Sequence, residues 1–61
     1  MFTIEECVYL LASGLVSEMY VPEEYLHDPH VLDAMHRFLW MTIPSHLVGW
    51  VVVRRRVVYQ D

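Results

Sequence analysis

WVVVRRRVVYQD, residues 50–61, sets three consecutive arginines between two runs of valine. Its reading decides the fold. As a helix, Arg54, Arg55 and Arg56 would point about 100° apart, with valines around them and no amphipathic face. Ser45 could cap such a helix, but β-branched residues fill it poorly. As a strand, side chains alternate between two faces. Leu47, Gly49, Val51, Val53, Arg55, Val57 and Tyr59 then form one face. Val48, Trp50, Val52, Arg54, Arg56, Val58 and Gln60 form the other, apolar at its start and basic beyond. Valine, tryptophan and tyrosine favour the strand, and we read residues 46–59 as one.

A lone strand cannot satisfy its own backbone hydrogen bonds. The tail is therefore expected to pair between chains, either as a two-fold ribbon in a homodimer or on the sheet edge of another protein. Arg54 and Arg56 would mark its wet side. Arg55 would escape at a rim or pair with a carboxylate such as Glu5 or Glu6.

Upstream, two helices are expected. Residues 3–20 carry a capping-box spacing at Thr3 and Glu6. Ile4, Cys7, Val8, Leu11, Leu15 and Met19 recur at helical steps, with Tyr9, Val16 and Tyr20 beside them. Gly14 would sit inside this helix, either to permit a close crossing with another helix or as a tolerated residue, at a cost of about 1 kcal/mol against alanine. Residues 21–28 form a connection in which Pro22 could open one helical turn. Asp28 and Pro29 are a cap and a first helical position, so a second helix runs over residues 29–42. Val31, Leu32, Met35, Phe38 and Leu39 make its apolar side. Trp40 would fall on the polar side near Asp33, where it folds over Arg37, packs under the tail or anchors an interface. The fold class is α+β, two helices and a C-terminal strand that pairs between chains. The alternative is an all-α three-helix domain.

The 61 residues make one small domain. A chain this short is marginal alone and commonly needs a disulfide, a metal or a partner. Cys7 is the only cysteine, so no internal disulfide forms and a reducing, cytoplasmic setting is expected. The composition is 56% hydrophobic, more than so small an interior holds. Charge is divided: residues 1–36 carry −7 and residues 37–61 carry +3. Such halves attract each other within one chain or between two. The start carries Glu5 and Glu6 without a basic side chain, so no targeting segment is read. Phe38–Val53 lacks charges other than histidine and precedes the arginines like a cytoplasmic stop, but 16 residues fall short of the roughly 20 that a span needs.

Catalytic signatures are missing. Gly14 and Gly49 are the only glycines, so no glycine-rich phosphate loop exists. His30, Asp33 and His36 share a helix face and are weak metal candidates. Neither a cofactor nor an enzymatic activity is expected. The expectation is a non-enzymatic interaction module, an inhibitor or adaptor that occupies a partner protein's surface, of the type that phages encode against host proteins. The partner is another protein chain, self or foreign. Trp40, Trp50, Arg54, Arg56, Tyr9 and Tyr20 are the expected contacts. One alternative is a dimeric DNA-binding regulator that uses the ribbon with Arg54 and Arg56, although a net charge of −4 opposes binding to a polyanion. Another is a small membrane-associated protein.

Overall fold

The computed structural model describes residues 1–56, and the expected strand positions from Val57 onward lie outside them. The fold is α+β: α1 (Ile4–Ser13), β1 (Glu18–Pro22), a 3-10 turn (Glu23–His27), α2 (Pro29–Arg37), β2 (Trp40–Pro44) and β3 (Trp50–Arg55). The strands form one antiparallel sheet in the order β1-β3-β2. β1 and β2 thus run in the same direction, joined by a crossover through α2, and β3 fills the gap between them.

α1 starts as its sequence dictates. Thr3 Oγ1 accepts from the Glu6 N–H at 3.1 Å, and the Glu6 carboxylate accepts from the Thr3 N–H at 3.0 Å. That backbone hydrogen bond, aided by the Thr3 hydroxyl, holds the Glu6 carboxyl below its ordinary range. The helix ends ten residues later, not at Tyr20. Gly14 is its C-cap at φ 75°, a left-handed conformation that side chains with a Cβ adopt only at a cost. Ser13 Oγ donates to the Leu10 carbonyl and accepts from the Leu15 N–H, which closes the turn. Gly14 is therefore a terminator, not a crossing point between helices. A Cβ on Gly14 would meet its nearest neighbour, Arg55 Nη1, at an ordinary 3.9 Å. The cost of Gly14→Ala is thus conformational, about 1–2 kcal/mol, read as a lower midpoint in denaturant with the slope unchanged. An unchanged midpoint would refute the terminator role.

Beyond Gly14 the chain turns to strand, so Met19 and Tyr20 belong to β1. Leu15, expected on the apolar helical stripe, is 74% exposed. Pro22 does open a helical turn, as the N-cap of Glu23–His27.

Asp28 caps α2 through Oδ1, which accepts from the N–H groups of His30 and Val31. α2 closes at Arg37, five residues short of residue 42, with Phe38 as C-cap and Leu39 at φ 61°. Residues 40–44 are a strand, and this resolves the misplaced Trp40, which was never on a helix face.

β3 is the expected tail strand, but its partners lie in its own chain. Glu18–Pro22 pairs with Trp50–Arg54 on one edge, and Trp40–Pro44 pairs with Val51–Arg55 on the other. Arg55 N–H reaches the Ser17 carbonyl at 2.9 Å and Arg56 N–H reaches the Leu39 carbonyl at 2.7 Å, which extends both ladders. With both edges occupied, β3 cannot form the inter-chain ribbon. The hydrogen-bonding demand was real, and strands hidden in residues 18–22 and 40–44 meet it. Phe38–Val53, the stretch weighed as a membrane segment, forms the end of the α2 turn, β2, a hairpin loop and part of β3. Among the described residues no helix is long and apolar enough to cross a membrane.

Both helices pack on one face of the sheet. Cys7 and Leu11 of α1, Val31, Ala34 and Met35 of α2, and Val21, Trp40 and Val53 of the sheet form the core with Tyr25. The Tyr25 hydroxyl donates to the Phe2 carbonyl, and the two rings meet edge-to-face at 5.9 Å, tying the N-terminus to the turn. Burial, reinforced by Asp28, pushes the Cys7 thiol up to about 11, which makes it a small hydrophobe and a poor nucleophile.

Candidate functional site

The register fixes what lies on the opposite face of the sheet, because residues paired across strands share a face. Glu18, Arg54 and Met41 make one row across β1, β3 and β2. Tyr20, Val52 and Ile43 make the next, and Pro22 and Trp50 sit at the hairpin end. The buried residues of both helices join Val21, Trp40 and Val53 on the other side. Among the described residues this face has no helical layer. Tyr20 and Met41 are exposed, and Ile43, Trp50 and Val52 are half-buried.

A half-solvated antiparallel sheet ordinarily turns polar side chains to water. This one turns tyrosine, valine, isoleucine, methionine and tryptophan outward. Its charge is confined to one end, where Arg54 Nη2 meets Glu18 Oε1 at 2.6 Å and Arg54 Nε donates to the same oxygen. That pair is directly opposed across the ladder. It is also where the acidic front of the chain meets the basic tail, within one molecule. At the other end the hairpin loop 45–49 carries Leu47 and Val48, and Val48 is 99% exposed. The loop is built: Ser45 Oγ accepts from the Leu47 N–H at 2.8 Å, the Trp50 N–H reaches the Leu47 carbonyl at 3.1 Å, and Gly49 takes φ 83°.

The edges of the sheet offer less. β1 and β2 are five residues each, and they end in Pro22 and Pro44. Short strands with proline resist edge-to-edge pairing.

Of the six expected contact residues, Tyr20, Trp50 and Arg54 come together here. Trp40 does not. It is 6% exposed and packs under the tail, with Nε1 donating to the Leu11 carbonyl at 2.8 Å and the Arg55 guanidinium 5.1 Å over its ring. Tyr9 is 65% exposed on α1, across the molecule from this face. Arg56 is exposed at the end of β3, beside a small hollow bordered by His36 and Leu39. Glu18 and Met41 escape a sequence reading that places residues 3–20 and 29–42 in helices, Ile43 falls beyond the second of them, and Val52 is read on the right strand face but not as a contact.

Arg55 finds neither a rim nor Glu5 or Glu6. Its Nη2 donates to the Leu11 carbonyl at 3.3 Å, at the C-terminal end of α1, and its buried Nε has no partner. A helix C-terminus carries partial negative charge and stands in for the missing carboxylate. His30, Asp33 and His36 do not converge. Asp33 pairs with Arg37 at 3.3 Å, and no metal-holding group of three or more His, Cys, Asp or Glu occurs among the described residues.

No protein-family model, no curated protein and no solved structure matches the chain.

Proposed function

We propose that the chain is a small non-enzymatic interaction module that works by laying its open sheet face on another protein chain, as an adaptor or inhibitor. The observation that carries the reading is the apolar outer face centred on Tyr20, Ile43 and Val52, bounded by the Arg54–Glu18 pair at one end and by Trp50 at the other. An aromatic and aliphatic centre with an arginine at its margin is the composition of contact surfaces. The lone reduced Cys7 suits a cytoplasmic setting. The DNA-binding alternative would have to use a surface other than a shared ribbon of residues 50–55, which pair within the chain on both edges.

The test is site-specific photocross-linking in the cells that make the protein. A photoreactive phenylalanine analogue at position 52 is expected to give an adduct of discrete mass. The same analogue at Leu32, exposed on α2, is expected to give none. No adduct from position 52 would defeat the proposal.

A further inference from the structure

Resting on that reading of the open face, we infer that its occupant is a second copy of this chain, docked face to face with the two β3 strands antiparallel and Val52 on the two-fold axis. Val52 is the middle residue of the middle strand on this face, flanked by Tyr20 and Ile43. If the two sheets pack with their strands aligned, the two-fold axis in the interface lies close to the strand direction or close to its perpendicular. An axis along the strands sets Arg54 over Arg54. An axis across them sets Arg54 of each copy over Trp50 of the other, an arginine on the face of an indole. Val52, Tyr20 and Ile43 then each meet their own counterpart, apolar on apolar. The same operation carries the hairpin tip, with exposed Leu47 and Val48, over the end of the other copy where Met41 is exposed. One arrangement thus covers Tyr20, Met41, Leu47 and Val48 without opposing like charges.

The blunted strand edges leave this as stacking of two sheets about 10 Å apart, not extension of one. Strands spaced about 4.8 Å and rising about 3.4 Å per residue give a footprint of roughly 300 Å² per copy. The total of about 600 Å² for two copies lies below the ~1,200 Å² at which standard interfaces begin, so the dimer is a concentration-dependent one.

The experiment is sedimentation velocity on the purified chain from about 10 μM to about 1 mM, a range that spans weak dimers. The mass is expected to rise from one chain towards two. Val52→Arg, which sets two like charges on the axis, is expected to hold it at one chain with an unchanged thermal melt. A second measurement does not depend on that variant folding. With a short bis-maleimide, Val52→Cys is expected to link into a covalent dimer and Arg54→Cys to fall at least tenfold behind, while buried Cys7 stays unmodified. Equal linking at both positions overturns the antiparallel geometry. A single-chain mass throughout overturns the second copy. If position 52 then still captures a different protein in cells, the interaction module stands with a foreign partner. If it captures nothing, both readings fall.

Discussion

Trp40→Ala is expected to abolish the cooperative thermal transition of the chain at 25 °C and above, whereas Trp50→Ala melts as a folded protein. The two tryptophans look alike in the sequence as candidate anchors, but the sheet assigns them opposite faces. Trp40 lies in the core against Arg55, and its indole N–H satisfies the Leu11 carbonyl, one of the last carbonyls of α1. Removing a buried ring of this size costs about 3–5 kcal/mol. The Leu11 carbonyl then keeps only the longer bond from Arg55 Nη2, and losing the shorter one adds about 0.5–1.5 kcal/mol, not strictly additively. A chain of this length has on the order of 3–9 kcal/mol in total. The loss therefore matches the whole stability. Trp40→Phe separates the two contributions, since it keeps a ring and removes one of the two donors to the Leu11 carbonyl, and the lost bond is expected to cost about 0.5–1.5 kcal/mol. Trp50 is half-buried on the outer face, and its loss is expected to cost about 1–2 kcal/mol of stability. Circular dichroism melts at low concentration decide the matter. Equal melting of Trp40→Ala and Trp50→Ala would place Trp40 outside the core.

The same pair of residues shows what a sequence can and cannot disclose here. The local chemistry was legible. Thr3 with Glu6, and Asp28 with Pro29, cap helices because capping needs only residues within one turn of each other. The valine run is a strand for an equally local reason. β1 and β2 were hidden. Leu15 and Met19 continue the three- and four-residue steps of α1 by coincidence, and this periodicity outweighed Gly14 with its neighbour Ser13. In β2, Trp40 alone is buried on the helix side, Thr42 and Pro44 on that side are exposed, and Met41 and Ile43 lie on the outer face. Alternation can be read only when one face of a strand is polar. Here the outer face is itself apolar, so the pattern that betrays an ordinary strand is absent. The feature that hid β2 is the feature that makes the candidate site. The hydrogen-bond demand of β3 points to another chain only while residues 18–20 and 40–42 are taken as helix.

The three arginines are expected to differ in what they hold, and Arg55 holds the most. Arg55→Glu is expected to cost about 3 kcal/mol or more, because several effects reverse together. It removes a charged donor to the Leu11 carbonyl, worth about 1.5–3 kcal/mol, and a cation over the Trp40 ring, worth about 0.5–2 kcal/mol. It then sets a carboxylate against the negative end of α1 in a half-buried place, where the helix dipole opposes it. Arg55→Met makes a different change. It loses the same contacts but also removes the buried Nε that has no partner, and it leaves an apolar stem to cover Trp40. Replacing a buried charge with a fitted apolar chain is often near neutral, so this variant is expected to fall within about 1 kcal/mol of the parent. Arg54→Glu reverses an exposed pair with Glu18 and is expected to cost no more than about 1 kcal/mol, an effect that fades at high salt. Denaturant midpoints at low and high salt, at a concentration where single chains dominate, give the ranking. If Arg54→Glu costs as much as Arg55→Glu, or if high salt restores the Arg55 variant, then Arg55 is not the cap of α1. The expected order puts the middle arginine in the service of the fold and leaves Arg54 beside the open face, where on the proposed reading its loss is expected to weaken association and not stability.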